Sequence, residues 1–388
     1  MFDPDRLPEL KSLVREATRG DAGLLDEVMR DVALLGQAVT TIQPRNMNSI
    51  SLVASDGGNH RIDFNPFSLQ VVRVVDTFGD ELFLDVISPS TDTLALGQRH
   101  LDDPWSPLGK MMRDLGASTL GDLSTVIPAK PRSTGWPLVY RDLCEWAVLY
   151  DLVCYERWGS DTLIVRDGLL RTKIFAADQF VRLYGLMKAA IEKSQRERRR
   201  GIYLVGVAKH SKVIERYRLA MAVEDVFPAG PPCYAPVPPE LQVKVYDWPE
   251  YVRSPEDTDI DTDTDTERPK FNMGAMFLIR FGQRPADPVW TVDLLHFQAH
   301  RAQQIFGSLL ADAELGFPVP CYPHCLQEAD RYAQVADLDL AILQGAMEEA
   351  VRELIRPDRR HVFDAQRLWP ADPAALRYQL RSSRRPRS

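Results

Sequence analysis

The chain has 388 residues, of which 45% are hydrophobic and 26% are charged, and its formal net charge at pH 7 is −8. This composition is typical of a globular protein with one large or two smaller domains. The negative charge argues against a protein that coats nucleic acid over its whole surface, although it permits a local basic channel. No apolar run approaches the roughly 20 residues that span a bilayer. With no secretory signal and five cysteines, we expect a cytoplasmic protein with reduced thiols and no membrane association.

The first part of the chain, residues 1–45, is predicted to be a helical arm. Apolar residues recur at helical spacing from about Leu7 to Val39, and Gly20 with Asp21 divides this stretch into two helices. An arm that precedes the first core strand more often docks on the body of the protein or on a partner than carries chemistry.

Three strands follow the arm, and the first ends in a carboxylate. Ser49–Ala54, Leu69–Val75 and Glu81–Ile87 are rich in branched and aromatic residues, which predicts largely antiparallel strands. Asp56 follows the first of them, and Gly57–Gly58 predicts a sharp turn that leaves Asp56 at the mouth of the strand. A carboxylate in that position can face a cleft and hold a divalent cation.

The same design recurs later in the chain. After mixed loops and short helices over residues 88–138, a helix is predicted from about Leu138 to Glu156. A strand over Thr162–Arg166 then ends at Asp167-Gly168. Asp-Gly is also an ordinary hairpin-turn signal, so a structural interpretation, in which both Asp-Gly steps are merely turns, stays open.

The rest of the chain predicts an alternation of helices and strands around an insertion. Gly201–Ala208 is almost continuously apolar and follows a helix, so it predicts a buried strand parallel to the preceding one, with Lys209 at its end. The further helices are predicted at Ala176–Arg199, Ala299–Leu310 and Cys325–Leu354, and the further strands at Met273–Phe281 and Val289–Leu295.

Two segments have biased composition. Residues 225–270 are rich in proline and contain a run of alternating aspartates, which predicts a flexible insertion within a core domain of residues 46–370. Residues 371–388 are crowded with arginine and predict a basic tail.

Several common motifs are missing or incomplete. The chain has no glycine-rich phosphate motif, so an ATPase or a dinucleotide enzyme is not expected. Cys321, His324 and Cys325 lack a second pair of zinc ligands, and His296 and His300 lack the glutamate of a metalloprotease helix. We interpret these residues as ordinary thiols and histidines.

The strongest chemical candidate is a group of carboxylates. Asp56 and Asp167 stand at two strand ends, and Glu145 lies on the helix before the second of these strands. Carboxylate oxygens suit magnesium or manganese, and two such ions can activate a water for phosphodiester cleavage. The order of strands and helices is compatible with an α/β fold of the ribonuclease H-like kind, a mixed sheet flanked by helices.

Four short blocks resemble the NurA family of DNA repair nucleases. Two of them are the Asp-Gly steps, Ala54–Gly58 and Leu163–Leu170. The third is the strand Leu204–Lys209, and the fourth is the turn and helix from Tyr322 to Asp330. The resemblance extends from about Ser49 to Leu354 without the insertion. It implies a ribonuclease H-like, manganese-dependent nuclease that forms dimers and acts on DNA beside a HerA-type hexameric ATPase.

The resemblance also implies roles for single residues. The metal, Mn²⁺ or Mg²⁺, would be held by Asp56, Glu145, Asp167 and Asp330, and Tyr322 would lie beside them in the catalytic site.

Asp151 and Glu156 are rivals of Glu145, because the spacing from Glu145 to the second Asp-Gly step is long. From its place at a strand end we expect Lys209 to contact a substrate phosphate.

The chain also departs from the family pattern. Asp330 stands where the family usually has histidine, and Gly58 and Leu169 stand where it usually has serine. An aspartate can bind manganese but is a poorer proton shuttle at neutral pH. The main hypothesis is a DNA nuclease in end processing, repair or antiphage defence. The alternative is a non-catalytic adaptor that docks on the hexameric ATPase.

Overall fold

The computed structural model describes residues 6–44, 50–64, 66–127, 135–246, 252–253, 270–334 and 337–366. Within these ranges the side chains of residues 50–60, 252–253, 270, 337–338 and 365–366 are outside the description. The chain divides into two units. The first is Met1–His60 with Gln70–Gln334, and the second is Arg61–Leu69 with Val335–Ser388.

The helices and strands alternate along the chain. The helices are α1 Leu7–Gly20, α2 Ala22–Gln37, α3 Thr93–Asp102, α4 Pro107–Leu115, α5 Leu120–Leu123, α6 Trp136–Cys154, α7 Gln179–Arg198, α8 Lys212–Val223, α9 Pro239–Val243, α10 Ala302–Ala313, α11 His324–Ala333, α12 Asp337–Leu354 and α13 Arg360–Gln366. The strands are β1 Thr40–Thr41, β2 Ile50–Phe64, β3 Phe67–Asp76, β4 Glu81–Ile87, β5 Asp161–Asp167, β6 Ile202–Ala208, β7 Cys233–Pro236, β8 Val252–Arg253, β9 Lys270–Phe271, β10 Gly274–Arg280 and β11 Val289–Leu295. Short 3₁₀ helices span His296–Arg301 and Pro357–Arg359.

Nine of the described strands form one mixed sheet in the order β1-β7-β10-β11-β6-β5-β2-β3-β4. Strand β5 lies between β2 and β6 and is parallel to both. The other registered pairs of this sheet are antiparallel. The predicted α/β class with a mixed sheet is confirmed, as is the parallel alignment of β6 with the preceding strand. The more specific ribonuclease H-like topology remains a prediction.

Helices cover both faces of this sheet because successive side chains of a strand point to opposite sides. On β5, Ile164 packs in the cluster that contains α4, α6 and α7. Its neighbours Leu163 and Val165 pack in the cluster that contains α10 and α11. Residues 166 and 167 continue this alternation, so the last two side chains of β5 point to opposite faces.

The two helices predicted between Leu7 and Val39 are α1 and α2. Helix α2 docks on α8, where Val32 and Leu35 pack with Val213 and Tyr217 in a third buried cluster. No residue of α1 is buried. The second unit contains α12 and α13, and in it the Phe64 and Phe363 rings meet edge to face at 5.8 Å.

Strand β2 differs from its prediction. It continues through Gly57–Gly58 to Phe64, so the sharp turn predicted after Asp56 is wrong. Glycine adopts extended conformations as readily as turns, and β2 has β3 as a neighbour in the sheet, whereas its register with β5 ends at Ser55↔Arg166. Tertiary pairing thus prevails over the local turn signal.

Two further boundaries differ. Strand β7 falls inside the predicted insertion, yet it pairs with β10 at Ala235↔Leu278, and Ala235 is completely buried. The acidic run of residues 257–266 lies outside the described residues. The single helix predicted over Cys325–Leu354 is two helices, α11 and α12. No described helix is long and apolar enough to cross a bilayer.

Candidate functional site

The turn after β5 positions Asp167. Asp167 is the last residue of β5 and pairs with Val207, and the next amide, Gly168 N–H, donates to the Val207 carbonyl at 2.8 Å. Gly168 has φ +109°, a conformation that favours glycine. On β6, a Cβ at Gly206 would lie 2.4 Å from the Gly168 carbonyl oxygen. The two glycines therefore let the chain cross closely over β6 directly after Asp167.

This geometry separates the second Asp-Gly step from a hairpin. The chain leaves Asp167 toward α7 and returns as β6, which is parallel to β5. The hairpin-turn interpretation is therefore wrong for Asp167. A carboxylate at the carboxyl end of a central parallel strand is instead placed at the sheet edge where α/β proteins bind ligands.

Four predicted site residues meet at this edge. Lys209 Nζ lies 2.8 Å from Asp167 Oδ2 and 3.7 Å from Asp330 Oδ1. The same ammonium lies 5.9 Å from the centroid of the Tyr322 ring. We call Asp167, Lys209, Asp330 and Tyr322 the strand-end cluster. Its members come from β5, the end of β6, α11 and the turn that precedes α11.

The periodicity of each element explains this meeting. Val205 and Val207 of β6 are buried against α10 and α11, and Lys209 continues their alternation on the same face. On α11, Leu326 and Ala329 are completely buried, which brings the adjacent Asp330 to the rim of the sheet.

Tyr322 is held rigidly at the base of the cluster. It is 1% exposed, and its ring centroid lies 4.6 Å from that of Trp290. Trp290 Nε1 in turn donates to the Cys321 carbonyl at 2.6 Å. The turn before α11 is therefore fastened to β11, and it presents an aromatic wall to Lys209.

The cluster is open to solvent and suits a cation. The Asp167 side chain is 19% exposed, Lys209 is 37% exposed and Asp330 is 49% exposed. The ammonium of Lys209 lies between the carboxylates of Asp167 and Asp330 and interacts with both. Such a donor set fits a hard divalent ion, which prefers carboxylate oxygens.

Asp56 lies on β2, the strand next to β5, at the position that corresponds to Asp167 in the register of the two strands. The parallel register of β2 and β5 pairs Ser55 with Arg166, and Asp56 and Asp167 are the next residues of the two strands. The side chain of Asp56 lies outside the described residues. Its role as a metal ligand stays a prediction that the backbone register favours.

Glu145 has different partners. Its carboxylate lies 3.7 Å from Arg166 Nη2 and 3.2 Å from Arg141 Nε. Arg166 precedes Asp167 and points to the other face of the sheet, where its guanidinium lies 4.6 Å from the centroid of the Trp146 ring. The structure therefore does not join Glu145 to the strand-end cluster through these contacts, and its role as a ligand stays a prediction.

The rivals of Glu145 are also engaged elsewhere. Asp151 forms a 2.7 Å ion pair with Lys110, and burial raises its pKa despite this partner. Glu156 lies beyond the end of α6 at Cys154. Among the side chains that are described, no three histidines, cysteines, aspartates or glutamates are grouped closely enough to hold a metal ion. A centre with three or more such ligands would therefore need a side chain outside the described set, and Asp56 is the predicted one.

A pocket at the same edge was not predicted. It has a volume of about 380 Å³ and is lined by the segment after Asp167 and by the start of α8. The sequence contains one signal for it. Ser211 follows a buried strand and accepts a hydrogen bond from the Val213 amide at 3.2 Å, which is the pattern of a helix start.

Comparison with solved structures finds low similarity over nearly the whole chain. The NurA nuclease from Sulfolobus solfataricus is 12% identical, with 92% of this chain and 99% of that chain covered and a TM-score of 0.42. A structure of NurA bound to dAMP and manganese is 9% identical, with 93% and 100% covered and a TM-score of 0.40. No protein-family model matches the chain, and no curated protein matches it significantly. At TM-scores this low, function has to be argued from the residues.

Proposed function

We propose that the chain is a metal-dependent nuclease that hydrolyses phosphodiester bonds of DNA. The observation that supports this most directly is the strand-end cluster, in which Asp167 and Asp330 lie on either side of one cation. The register of β2 and β5, in which Asp56 and Asp167 follow the paired residues Ser55 and Arg166, supports Asp56 as a third ligand. The four sequence blocks that resemble the NurA family include both of these strands and the turn at Tyr322.

In this proposal Asp56, Asp167 and Asp330 hold Mn²⁺ or Mg²⁺, and Glu145 is a further ligand. When bound, the metal supplies an activated water and stabilises the negative charge that develops on the phosphate. Three or four carboxylates in one place repel one another, so a cation is needed to hold them together. In the described conformation the ammonium of Lys209 is this cation.

The residues of the chain have separate tasks. The strand β5 and the Gly168 turn fix the backbone position from which the Asp167 carboxylate projects. Lys209 balances the carboxylates while no other cation is near. In the substrate complex its ammonium would turn to a phosphate oxygen and donate a charge-assisted hydrogen bond to it. The Tyr322 ring limits the directions in which Lys209 can move.

The remaining proposals concern the setting of this activity. We propose that a HerA-type hexameric ATPase delivers the DNA, in end processing, repair or antiphage defence, and that the chain acts as a homodimer. The exposed apolar side chains Leu13 and Val14 of α1, which are 55% and 65% exposed, offer a surface for such a contact. Mass photometry of the chain alone and with the ATPase tests both associations.

A non-catalytic adaptor is the second candidate. It is favoured by the ion pairs of Lys209, because an ammonium that permanently neutralises Asp167 and Asp330 leaves no need for a metal. Calorimetric titration with Mn²⁺ separates the candidates. A nuclease binds the ion and loses affinity in Asp330→Ala, whereas an adaptor shows no binding at this site in either protein.

The direct test is cleavage of linear DNA in the presence of Mn²⁺. We expect Asp56→Ala and Asp167→Ala to lower the rate by at least about two orders of magnitude, since even residues that only support metal ligands are worth 10–100-fold. Asp339→Ala, an exposed aspartate on α12, is the matched control and keeps the wild-type rate. Wild-type cleavage rates in both Asp56→Ala and Asp167→Ala would contradict the proposed nuclease function.

A further inference from the structure

The turn between α10 and α11, residues 314–323, exposes three apolar side chains. Phe317 is 79% exposed, and Leu315 and Val319 on either side of it are exposed as well. Single exposed apolar residues are common on protein surfaces, whereas groups of them mark binding surfaces. We call Leu315, Phe317 and Val319 the apolar tip of the turn. The function proposed above gives these residues no task.

The turn lies at the edge of the sheet that carries the strand-end cluster. Strand β11 is antiparallel to β6 and pairs Thr291 with Ala208, so β11 begins beside the end of β6. Trp290, at this beginning, donates a hydrogen bond to the Cys321 carbonyl of the turn. Because Lys209 directly follows Ala208, the turn and the cluster share one edge.

Within the turn, Phe317 adjoins a cluster residue. The chain folds back so tightly that a Cβ at Gly316 would lie 2.4 Å from the Tyr322 carbonyl oxygen. Phe317 directly follows Gly316, so its side chain starts beside the backbone of Tyr322. The Tyr322 ring in turn lies 5.9 Å from Lys209 Nζ, measured to the ring centroid. A nucleic acid strand that is bound at the cluster therefore passes close to the apolar tip.

The backbone of the turn is fixed by buried side chains of the two helices. The Gln327 side chain accepts a hydrogen bond from the Val319 amide at 2.9 Å, and it donates to the carbonyls of Val319 at 2.9 Å and Tyr322 at 3.0 Å. The Asp312 carboxylate accepts from the Cys325 amide at 3.0 Å, which fastens the start of α11 to α10. A backbone that is already held in place loses little conformational entropy when a ligand binds to it.

The chemistry of the apolar tip favours a nucleobase over a protein partner. Every base has a flat π-face, and stacking on aromatic side chains holds single-stranded nucleic acid without regard to sequence. One aromatic ring on a short, fixed turn offers such a platform. A stable protein interface buries about 800 Å² on each partner, which three side chains do not supply.

We propose that Phe317 stacks on an unpaired base of the DNA strand, beside the nucleotide at the strand-end cluster. The proposal rests on the proposed nuclease function for the identity of its ligand. Leu315 and Val319 flank the stacked base with apolar surface. The ring thus holds the strand without sequence preference, and the chemistry stays at the cluster.

The first test measures binding without cleavage. A fluorescent single-stranded oligonucleotide is titrated in EDTA with wild type, Phe317→Ala and the control Trp105→Ala. Trp105 is a similarly exposed aromatic residue between α3 and α4, and these helices pack in the buried cluster on the other face of the sheet. Phe317→Ala should bind about fivefold to 150-fold more weakly, since one stacked base contributes a factor of this size. Phe317→Trp and the control should match wild type.

A second test separates stacking from a structural role of the ring. The titrations of wild type and Phe317→Ala are repeated with an oligonucleotide of the same length whose nucleotides are all abasic. Loss of the bases should weaken binding to wild type at least about fivefold more than binding to Phe317→Ala, because the variant has no ring on which a base can stack. Equal losses in the two proteins would overturn the proposal, as would a wild-type protein that binds neither oligonucleotide.

The outcomes separate this proposal from the nuclease assignment. If Asp167→Ala abolishes cleavage while Phe317→Ala binds DNA like wild type, the stacking proposal is overturned and the nuclease stands. If wild type cleaves no DNA but Phe317→Ala loses the affinity that depends on bases, the stacking stands and the nuclease falls. If Phe317→Ala weakens only the association with the ATPase in mass photometry, the apolar tip is a protein contact and the stacking proposal is overturned. Phe317→Leu, which keeps an apolar side chain without a ring, serves if Phe317→Ala does not fold.

Discussion

Two aspartates near the ends of the central strands are each paired with a cation, but their surroundings differ. Asp293 on β11 is completely buried and accepts two hydrogen bonds from Arg171 at 2.8 Å, and the Leu170 amide donates a third at 3.0 Å. Asp167 on β5 is partly exposed, and Lys209 reaches it across an opening to solvent. We call the buried Asp293–Arg171 pair, with its additional hydrogen bond from Leu170, the closed pair. We call the solvent-accessible Asp167–Lys209 pair the open pair.

The difference separates stability from function. Removing one partner of a buried carboxylate–guanidinium pair strongly destabilises the fold, because the remaining partner is then a buried charge without a counter-ion. A solvent-exposed ion pair contributes only about 0–1 kcal/mol. The Asp167–Lys209 pair therefore adds little to folding, which agrees with the ligand role that we propose for Asp167 and Asp330.

Asp293→Ala tests the closed pair and has the largest expected effect on folding. Arg171 would remain only 6% exposed without its counter-ion, so we expect a loss of about 3–5 kcal/mol in the free energy of unfolding. Urea denaturation followed by tryptophan fluorescence measures it. A loss below about 1 kcal/mol would show that water or another group replaces the carboxylate, and that the pair is not closed.

Asp85 offers a second closed carboxylate, whose signature is a dependence of stability on pH. Burial alone would raise its pKa, but hydrogen bonds with His100, Tyr140 and Arg99 outweigh burial and lower the pKa below 3.8. A carboxyl with a lowered pKa in the folded state stabilises the fold above its unfolded pKa. This stabilisation is lost as the pH falls from about 3.8 toward the folded value.

We expect this acid-dependent stabilisation to be that of hydrogen bonds to a charged group, about 1.5–3 kcal/mol. Urea midpoints between pH 5 and pH 3, compared for wild type and Asp85→Asn, measure it. The variant should show a flatter pH dependence. Parallel curves would mean that Asp85 titrates alike in the folded and unfolded chains.

Gly206→Ala tests how the open site is placed. The added methyl group would meet the Gly168 carbonyl oxygen at 2.4 Å and the Leu170 amide nitrogen at 3.0 Å, so the turn after Asp167 has to move. Overpacking of this kind costs about 1–3 kcal/mol. Gly185→Ala on α7 has open space around it and should instead stabilise the helix by up to about 1 kcal/mol. Differential scanning calorimetry of both variants checks the opposite signs.

Features that local sequence patterns determine could be predicted, whereas features that depend on contacts between distant segments could not. Hydrophobic patterns along β5 and β6 predicted both strands and their parallel order, and the residues at their ends identified Asp167 and Lys209. The continuation of β2 past Gly57–Gly58 could not be predicted, because the neighbouring strand β3 favours it. The partners of Glu145 were also beyond prediction, since they depend on Arg166 pointing away from Asp167.

The pocket was missed for a related reason. Lys173 and Lys212, which line it, are almost 40 positions apart, and only the parallel pairing of β5 with β6 brings the segments that follow these strands together. Each lysine by itself looks like an ordinary surface residue. Spatial clusters of this kind are determined by strand order, which local patterns do not encode.

Asp167→Asn has the smallest expected effect on folding and tests the open pair most directly. Loss of the 2.8 Å contact with the partly exposed Lys209 should change the free energy of unfolding by no more than about 1 kcal/mol. Cleavage of linear DNA with Mn²⁺ should nevertheless fall by at least about 100-fold, because the amide is a poorer metal ligand than a carboxylate. Asp293→Ala should destabilise the fold far more, so unfolding and cleavage assays on the two variants give opposite rankings if Asp167 acts as a ligand. A large loss of stability in Asp167→Asn would instead place this aspartate with Asp293 as a structural residue.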